Sequence, residues 1–254
     1  MRPWGRHAAV VAAGLGLLVV TWLMSDTGTV APWEVDVFGA ANDLPDILRW
    51  PLWPIMQLGT FPMYVVGGVG VYALTRRTRP ALATASAVLL AWIVARIVKD
   101  TVERGRPVDL LDDVDLRQTN PDGYGYVSGH ASVAFALATA LTMVLPGRWR
   151  WVPLPVAALV GFARLFFGVH LPLDVLGGAG VGVVCGTVAV VAFGADMTSE
   201  PETADGSPLP DRAAAQPDRT AAPPDGTAPQ LDRTAAPPDG AAPQADRTDA
   251  PGGS

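Results

Sequence analysis

Six long, mostly apolar runs, at about 8–24, 51–74, 81–98, 130–146, 152–168 and 175–194, constrain this chain more than anything else in it. Each approaches the ~20 residues that a helix needs to cross a ~30 Å hydrocarbon core. None alternates with period two in ten-residue blocks, as a membrane β-barrel strand would. The predicted fold is therefore an all-α membrane protein, a six-transmembrane-helix bundle. The first run follows Arg2 and Arg6 but exceeds the ~7–15 residues of a signal-peptide core and shows no A-x-A site. It reads as a retained helix.

Basic residues orient the bundle. Arg2 and Arg6 precede the first run, Arg76, Arg77 and Arg79 link the second and third, and Arg148 and Arg150 link the fourth and fifth. The opposite segment, 25–50, carries Asp26, Glu34, Asp36, Asp43 and Asp46 against Arg49 alone. Trp4, Trp149 and Trp151 flank the basic ends, and Trp22, Trp33, Trp50 and Trp53 the other ends, as an aromatic belt does. The expectation is a multi-pass protein of the plasma membrane with both termini cytoplasmic. The half-apolar stretch 33–50 is expected to lie on the outer surface as an interfacial helix or loop.

The net charge of -6 is unevenly placed. Residues 195–254 hold eleven Asp/Glu, four Arg, eleven Pro and no aromatic residue, whereas residues 1–194 are nearly balanced. A near-neutral body excludes a strongly basic nucleic-acid binder. A single Cys excludes a disulfide framework or a Cys-rich metal site. The tail repeats with a 14-residue period, DRTAAPPDGTAPQL at Asp218–Leu231 and DRTAAPPDGAAPQA at Asp232–Ala245. Such a composition has too little apolar area to offset chain entropy, which predicts a disordered C-terminal tail. The expected organisation is a first helix and outer loop (1–50), a catalytic membrane core (51–194) and this tail (195–254). Gly178, Gly182 and Gly186, spaced by four, give the last helix one smooth face for close packing.

Three polar clusters interrupt the apolar body, all at the expected outer surface. They are Lys99–Pro107 (KDTVERGRP), Tyr126–His130 (YVSGH) and Ala163–Asp174 (ARLFFGVHLPLD). They contain the only Lys and two of the three His; His7, in the basic N-terminal flank, is expected to be solvated. Intramembrane charge is costly and marks function. Lys99, Arg106 and Arg164 supply three cations, and guanidinium forks match phosphate oxygens. Ser128 at a helix start leaves the amides of Gly129 and His130 directed at an anion, with the helix dipole assisting. His170 and Asp174, spaced by four around Pro172, share a face. Asp174 would hold one imidazole nitrogen and leave the other to attack phosphorus. His130 would protonate the leaving oxygen and then activate water. This is phosphoryl transfer by a preorganised cradle, with no metal or cofactor expected.

These residues resemble the type 2 phosphatidic acid phosphatase (PAP2) superfamily, whose signature is KxxxxxxRP, PSGH and SRxxxxxHxxxD. The first part is intact from Lys99 to Arg106 and Pro107; Val127 replaces the Pro of the second and Ala163 the Ser of the third. The resemblance covers roughly 50–195. It implies a membrane lipid phosphatase with a phosphohistidine on His170, His130 as acid and base, Asp174 behind His170, and a cradle of Lys99, Arg106, Ser128, Gly129 and Arg164. The implied substrates are polyprenyl (undecaprenyl) diphosphate first, otherwise phosphatidic acid or phosphatidylglycerophosphate, met at the extracytoplasmic face. The acidic loop 108–126 is expected to roof the site.

Three other readings use the same residues. A lipid phosphotransferase would pass the phosphoryl group to an acceptor other than water. An intramembrane serine protease would use Ser128 but leaves the cations unexplained. A transporter or scaffold needs the helices but not two His and three cations on one face.

Overall fold

The computed structural model describes residues 3–25, 29–119 and 122–196, all within one compact unit, Met1–Leu209. The repeat tail lies outside the described residues. These residues are helical with no strand: α1 (Pro3–Ser25), α2 (Pro32–Asn42), α3 (Arg49–Met56), α4 (Met63–Thr75), α5 (Thr78–Val102), α6 (Pro107–Leu110), α7 (Gly129–Val144), α8 (Pro153–Phe166) and α9 (Pro172–Ala192).

The last helix is the axis of the body. Over its most apolar stretch α9 is 61% buried, whereas α1 is 17% buried and leaves Leu15, Val19, Val20 and Leu23 on the outside. α9 packs against α7, α1 and α5. Its glycine face is what permits the close crossing with α7. A Cβ on Gly178 would stand 2.6 Å from the Ser128 carbonyl, and one on Gly182 would stand 2.6 Å from both the Ser132 carbonyl and the Phe135 Cβ. Further along, one on Gly186 would stand 2.8 Å from the Thr139 Cβ. Alanines from α5 and α7 (Ala83, Ala87, Ala91, Ala136, Ala140) fill the core between these helices.

Helix lengths carry fewer crossings than hydropathy alone. α1, α5 and α9 are long and apolar enough to cross a membrane. The run at 51–74 is not one straight helix: α3 and α4 meet at 81° across a short 3₁₀ turn, Gln57–Gly59. Pro62, at the break, lacks an N–H and its ring obstructs the turn before it, so a helix cannot run straight through this point. Counted as one bent span, the pair makes a fourth candidate. α7 and α8 have 16 and 14 residues, short of a full crossing.

Two outer segments behave as structure, not as solvated loop. α2 lies along the body and buries Glu34, Phe38, Ala41 and Asn42 on one face. Asn42 donates to the carbonyls of Asp115 and Phe166 and accepts from the Asp115 amide, tying α2 to the 108–126 loop and to the end of α8. Arg117, a buried residue of that loop, pairs with Asp46 and Asp115, donates to the Asn42, Leu44 and Phe166 carbonyls, and stacks on the Phe166 ring. His7, expected to be solvated, instead lies 2.7 Å from Asp196 just beyond α9. This partner falls in the stretch that composition assigns to the tail.

Gly182→Ala forces a methyl into the α7 backbone and is expected to lower stability by about 1–3 kcal/mol, the usual range for overpacking. Gly70→Ala on α4, where the added Cβ meets nothing within 4 Å, is the neutral control. Thermal unfolding of both variants in detergent checks the difference.

Candidate active site

The site is built where three helix ends meet. α5 terminates at Glu103, whose left-handed backbone (φ 52) turns the chain inward so that Arg104 and Arg106 point into the body. α7 begins after Ser128, whose hydroxyl accepts from the Ala131 amide at 3.5 Å. α9 begins at Pro172, where a missing N–H costs nothing in the first turn. The chain from Gly125 to Ser128 is pinned between them. The Gly125 amide donates to the Arg104 carbonyl (2.7 Å), and the Ser128 amide donates to the Asp174 carbonyl (2.8 Å). Tyr126 donates to the Leu18 carbonyl on α1 at 2.9 Å, and burial pushes its phenol up to about 12.

Asp174 is fully buried and is shared by three partners. Its Oδ2 accepts from the Leu171 amide at 2.9 Å and lies 3.4 Å from His170 Nδ1. Its Oδ1 accepts from Arg104 Nη1 at 3.0 Å. With Nδ1 turned to Asp174, the other ring nitrogen of His170 is the one left to act on a ligand. Burial, and then the charges of Lys99, Arg164, Arg106 and His130, push His170 well below the usual histidine range, so its ring is neutral. The same list of charges shows that the four residues from α5, α7, α8 and the α5–α6 turn converge on His170.

The cations are held by dipoles. Lys99 donates to the Tyr124 and Gly125 carbonyls at 2.8 and 3.0 Å. Arg106 donates to the carbonyls of Gly123, Val169 and Asp122 at 2.8, 3.1 and 3.2 Å. The 108–126 loop therefore covers the site, meeting Lys99 and Arg106 through backbone carbonyls and Arg164 through the Gln118 side chain. Arg164 reaches the Met56 sulfur at 2.8 Å and Gln118 at 3.3 Å, while its Nε is buried with no partner among the described residues. A buried, unpartnered N–H donor of this kind is what a phosphate oxygen would satisfy. The half-buried ring of His130, on the first turn of α7, makes no hydrogen bond among the described residues. The first-turn amides of α7, Gly129 and His130, have no intrahelical acceptor.

The structure thus brings together Lys99, Arg106, Ser128, Gly129, His130, Arg164, His170 and Asp174. It also adds two residues that the sequence reading passed over. Arg104 donates to both oxygens of Glu34, at 3.0 and 2.7 Å, as well as to Asp174, and Glu34 in turn accepts from the Leu173 amide at 3.0 Å. All three side chains are buried. Glu34 had counted only as one acid of the outer segment; its signal was the i, i+4, i+8 set Glu34, Phe38, Asn42, which forms the buried face of α2. The two departures from the signature are both fully buried. Ala163 sits in an apolar cluster with Leu52, Met56, Phe166 and Phe167, whose side chains offer a hydroxyl apolar neighbours.

Known proteins are similar to this chain in sequence and in fold. An undecaprenyl-diphosphatase of Sulfolobus acidocaldarius is 32% identical over 91 residues, which are 35% of this chain and 44% of that protein. The chain thus spans under half of that relative's length. The bacitracin transport permease protein BcrC of Bacillus licheniformis is 29% identical over 155 residues, 59% of this chain and 76% of the relative. The crystal structure of Aquifex aeolicus LpxE superposes with a TM-score of 0.54 at 25% identity, covering 62% of this chain and 94% of the other. Residues 80–197, which hold all three polar clusters, match the model of the PAP2 superfamily.

Proposed function

We propose that this protein is a membrane lipid phosphatase that removes a phosphoryl group through a phosphohistidine on His170. The observation that carries the reading is the convergence on a neutral, Asp174-backed His170 of three cations held only by neutral partners, with one guanidinium N–H left unsatisfied.

The chemistry follows from the geometry. Lys99, Arg106, Arg164 and the α7 amides hold the phosphate oxygens, supported by Ser128 as the helix cap. The free nitrogen of His170 attacks phosphorus, and the bond from phosphorus to the leaving oxygen breaks as His130 donates a proton to that oxygen. Asp174 stabilises the charge that forms on the His170 ring. Water, deprotonated by His130, then attacks the phosphohistidine, releasing inorganic phosphate and restoring His170. No step calls for a metal. Arg104 and Glu34 act as positioning residues: Glu34 neutralises Arg104 so that Arg104 can fix Asp174 without drawing its charge away from His170.

The substrate proposed is a polyprenyl diphosphate such as undecaprenyl diphosphate, with phosphatidic acid and phosphatidylglycerophosphate next. The similarity to an undecaprenyl-diphosphatase supports that order. The name of the second relative refers to transport, but a transport path gives no use to the His170–Asp174 pair. Transfer to an acceptor other than water would use the same intermediate. The topology proposed is six crossings with both termini cytoplasmic and the site facing outward, α7 and α8 crossing with their flanking turns. The three units proposed are 1–50, 51–194 and an acidic disordered tail from 195.

Purified protein in detergent with EDTA is expected to release phosphate from polyprenyl diphosphate or phosphatidic acid. His170→Ala should abolish release and His130→Ala should lower kcat by about 10²–10⁴. Full activity in the His170 variant, or a strict Mg²⁺ requirement in the wild type, overturns the mechanism. Glu34→Ala leaves Arg104 as a half-compensated buried charge and is expected to cost about 3–5 kcal/mol in thermal or denaturant unfolding. Glu34→Gln keeps the hydrogen bonds and should fold more stably than Glu34→Ala, with a lowered kcat and a KM near that of the wild type.

A further inference from the structure

At the end of the bundle opposite the candidate site, a cavity of about 300 Å³ lies between α1, α7, α8 and α9. That is the lower end of the ~300–1,000 Å³ of ordinary ligand pockets. Thr139, on its α7 wall, is nine residues beyond His130, about 14 Å by helical rise. Thr187, on its α9 wall, is thirteen residues beyond Asp174, about 20 Å by the same rise. A phosphate held at His170 does not extend this far, so the cavity is a separate place in the molecule.

The rim is positive. Arg6 on α1 lines it, as does Arg150 in the 3₁₀ turn Arg148–Trp151 that precedes α8. Arg6 and His7 share Asp196, at 3.5 and 2.7 Å. Arg150 lies over the Trp151 ring at 4.9 Å and pairs with no carboxylate among the described residues. Two guanidinium groups against one carboxylate leave an excess of positive charge, whatever the state of His7. Arg6, Trp151 and Val10 are exposed, so this rim meets the surroundings.

Inside, the wall is apolar through Met143, Leu154 and Val183, with one open hydroxyl. Thr142 and Thr187 donate to helix carbonyls, those of Thr139 and Val183. Thr139 makes no such bond. Its residue is 6% exposed, its Cβ and Cγ2 face Gly186 on α9, and its hydroxyl has no hydrogen-bond partner among the described residues. Among those residues Arg164 Nε is the only sealed side-chain N or O atom without a partner, so the Thr139 hydroxyl keeps accessible surface, and the cavity supplies it. A buried residue with an unpaired hydroxyl leaves a donor for a ligand acceptor.

We propose that this cavity binds an anionic phospholipid at a site separate from the catalytic centre. The lipid phosphate pairs with Arg150 and Arg6 at the rim, beside Trp151, a residue type that favours the headgroup layer. An ester carbonyl accepts from the Thr139 hydroxyl, and the glycerol and the start of a chain lie on the apolar wall. The combination selects the occupant. Free phosphate matches the rim but neither Thr139 nor the apolar wall, and a zwitterionic lipid sets its own cation against the guanidinium groups. A lipid so placed touches α1 together with α7, α8 and α9, and α1 is the least buried of the three long apolar helices.

The test is lipid titration of the purified full chain in non-ionic detergent, followed by native mass spectrometry. The probes are dioleoyl phosphatidylglycerol, dioleoyl phosphatidylcholine and glycerophosphoglycerol, which is the first headgroup without its chains. All three are phosphodiesters, which a phosphomonoesterase leaves intact. Phosphatidylglycerol is expected to bind about tenfold or more tightly than either of the others, two arginines contributing about fivefold each. Arg150→Gln should weaken it about fivefold, and Thr139→Val about threefold or more. Thr139→Ser keeps the hydroxyl and should bind like the wild type, as should Arg164→Gln in the candidate site. Unfolding temperatures without lipid show which variants are folded, and Arg150→Gln decides if Thr139→Val is not. Equal binding of phosphatidylglycerol and either other probe overturns the inference. So does a loss in Arg150→Gln with none in a folded Thr139→Val, which means surface charge alone, and so does a loss in Arg164→Gln, which means the candidate site. Failure of the wild type to bind phosphatidylglycerol overturns it as well, and means that the rim charge is met within the chain.

Discussion

The site depends on how closely α9 can approach α7. Ser128, Gly129 and His130 open one helix, and His170 and Asp174 straddle the start of the other, so the separation of the two axes sets the distance across the catalytic centre. Glycine at 178 and 182 lets backbone meet backbone, and the Ser128 amide then reaches the Asp174 carbonyl at 2.8 Å. A side chain at either glycine would push apart the cap that binds an anion and the histidine meant to attack it. In an apolar surround, where lipid tails compete equally well for apolar side chains, such close packing is among the few forces that hold helices in register.

The cations around the site fall into two groups by what satisfies them. Arg104 and Arg117 are matched by carboxylates, Glu34 with Asp174 and Asp46 with Asp115, and their charge is cancelled on the spot. Lys99, Arg106 and Arg164 are matched by carbonyls, an amide oxygen and a sulfur, which orient them without cancelling charge. This end of the body therefore keeps a localised positive field despite the many acids around it. The loop's acids do not pair with these three cations, which it meets through backbone carbonyls and the Gln118 amide oxygen.

The residues of the candidate site were legible because they stand at fixed local spacings: Lys99 to Arg106, Ser128 to His130, Arg164 to His170 to Asp174. The glycine face of α9 was legible for the same reason. What escaped was long-range or geometric. Glu34 and Arg104 are seventy positions apart, and nothing local distinguishes Glu34 from Asp36 except which face of α2 each occupies. His7 and Asp196 join across nearly the whole described chain. The bend at 57–62 escaped because hydropathy averages composition and takes no account of a proline's position; Pro62 was the available signal.

The Glu34–Arg104 pair has a consequence for where this protein can be divided. Residues 80–197 are the part that matches the family model, yet one of the two counter-charges for its buried Arg104 is Glu34 on α2, outside that part. The unit defined by the family match is thus not the unit defined by electrical neutrality. An excised 80–197 segment would leave Arg104 against Asp174 alone, a half-compensated guanidinium in its interior.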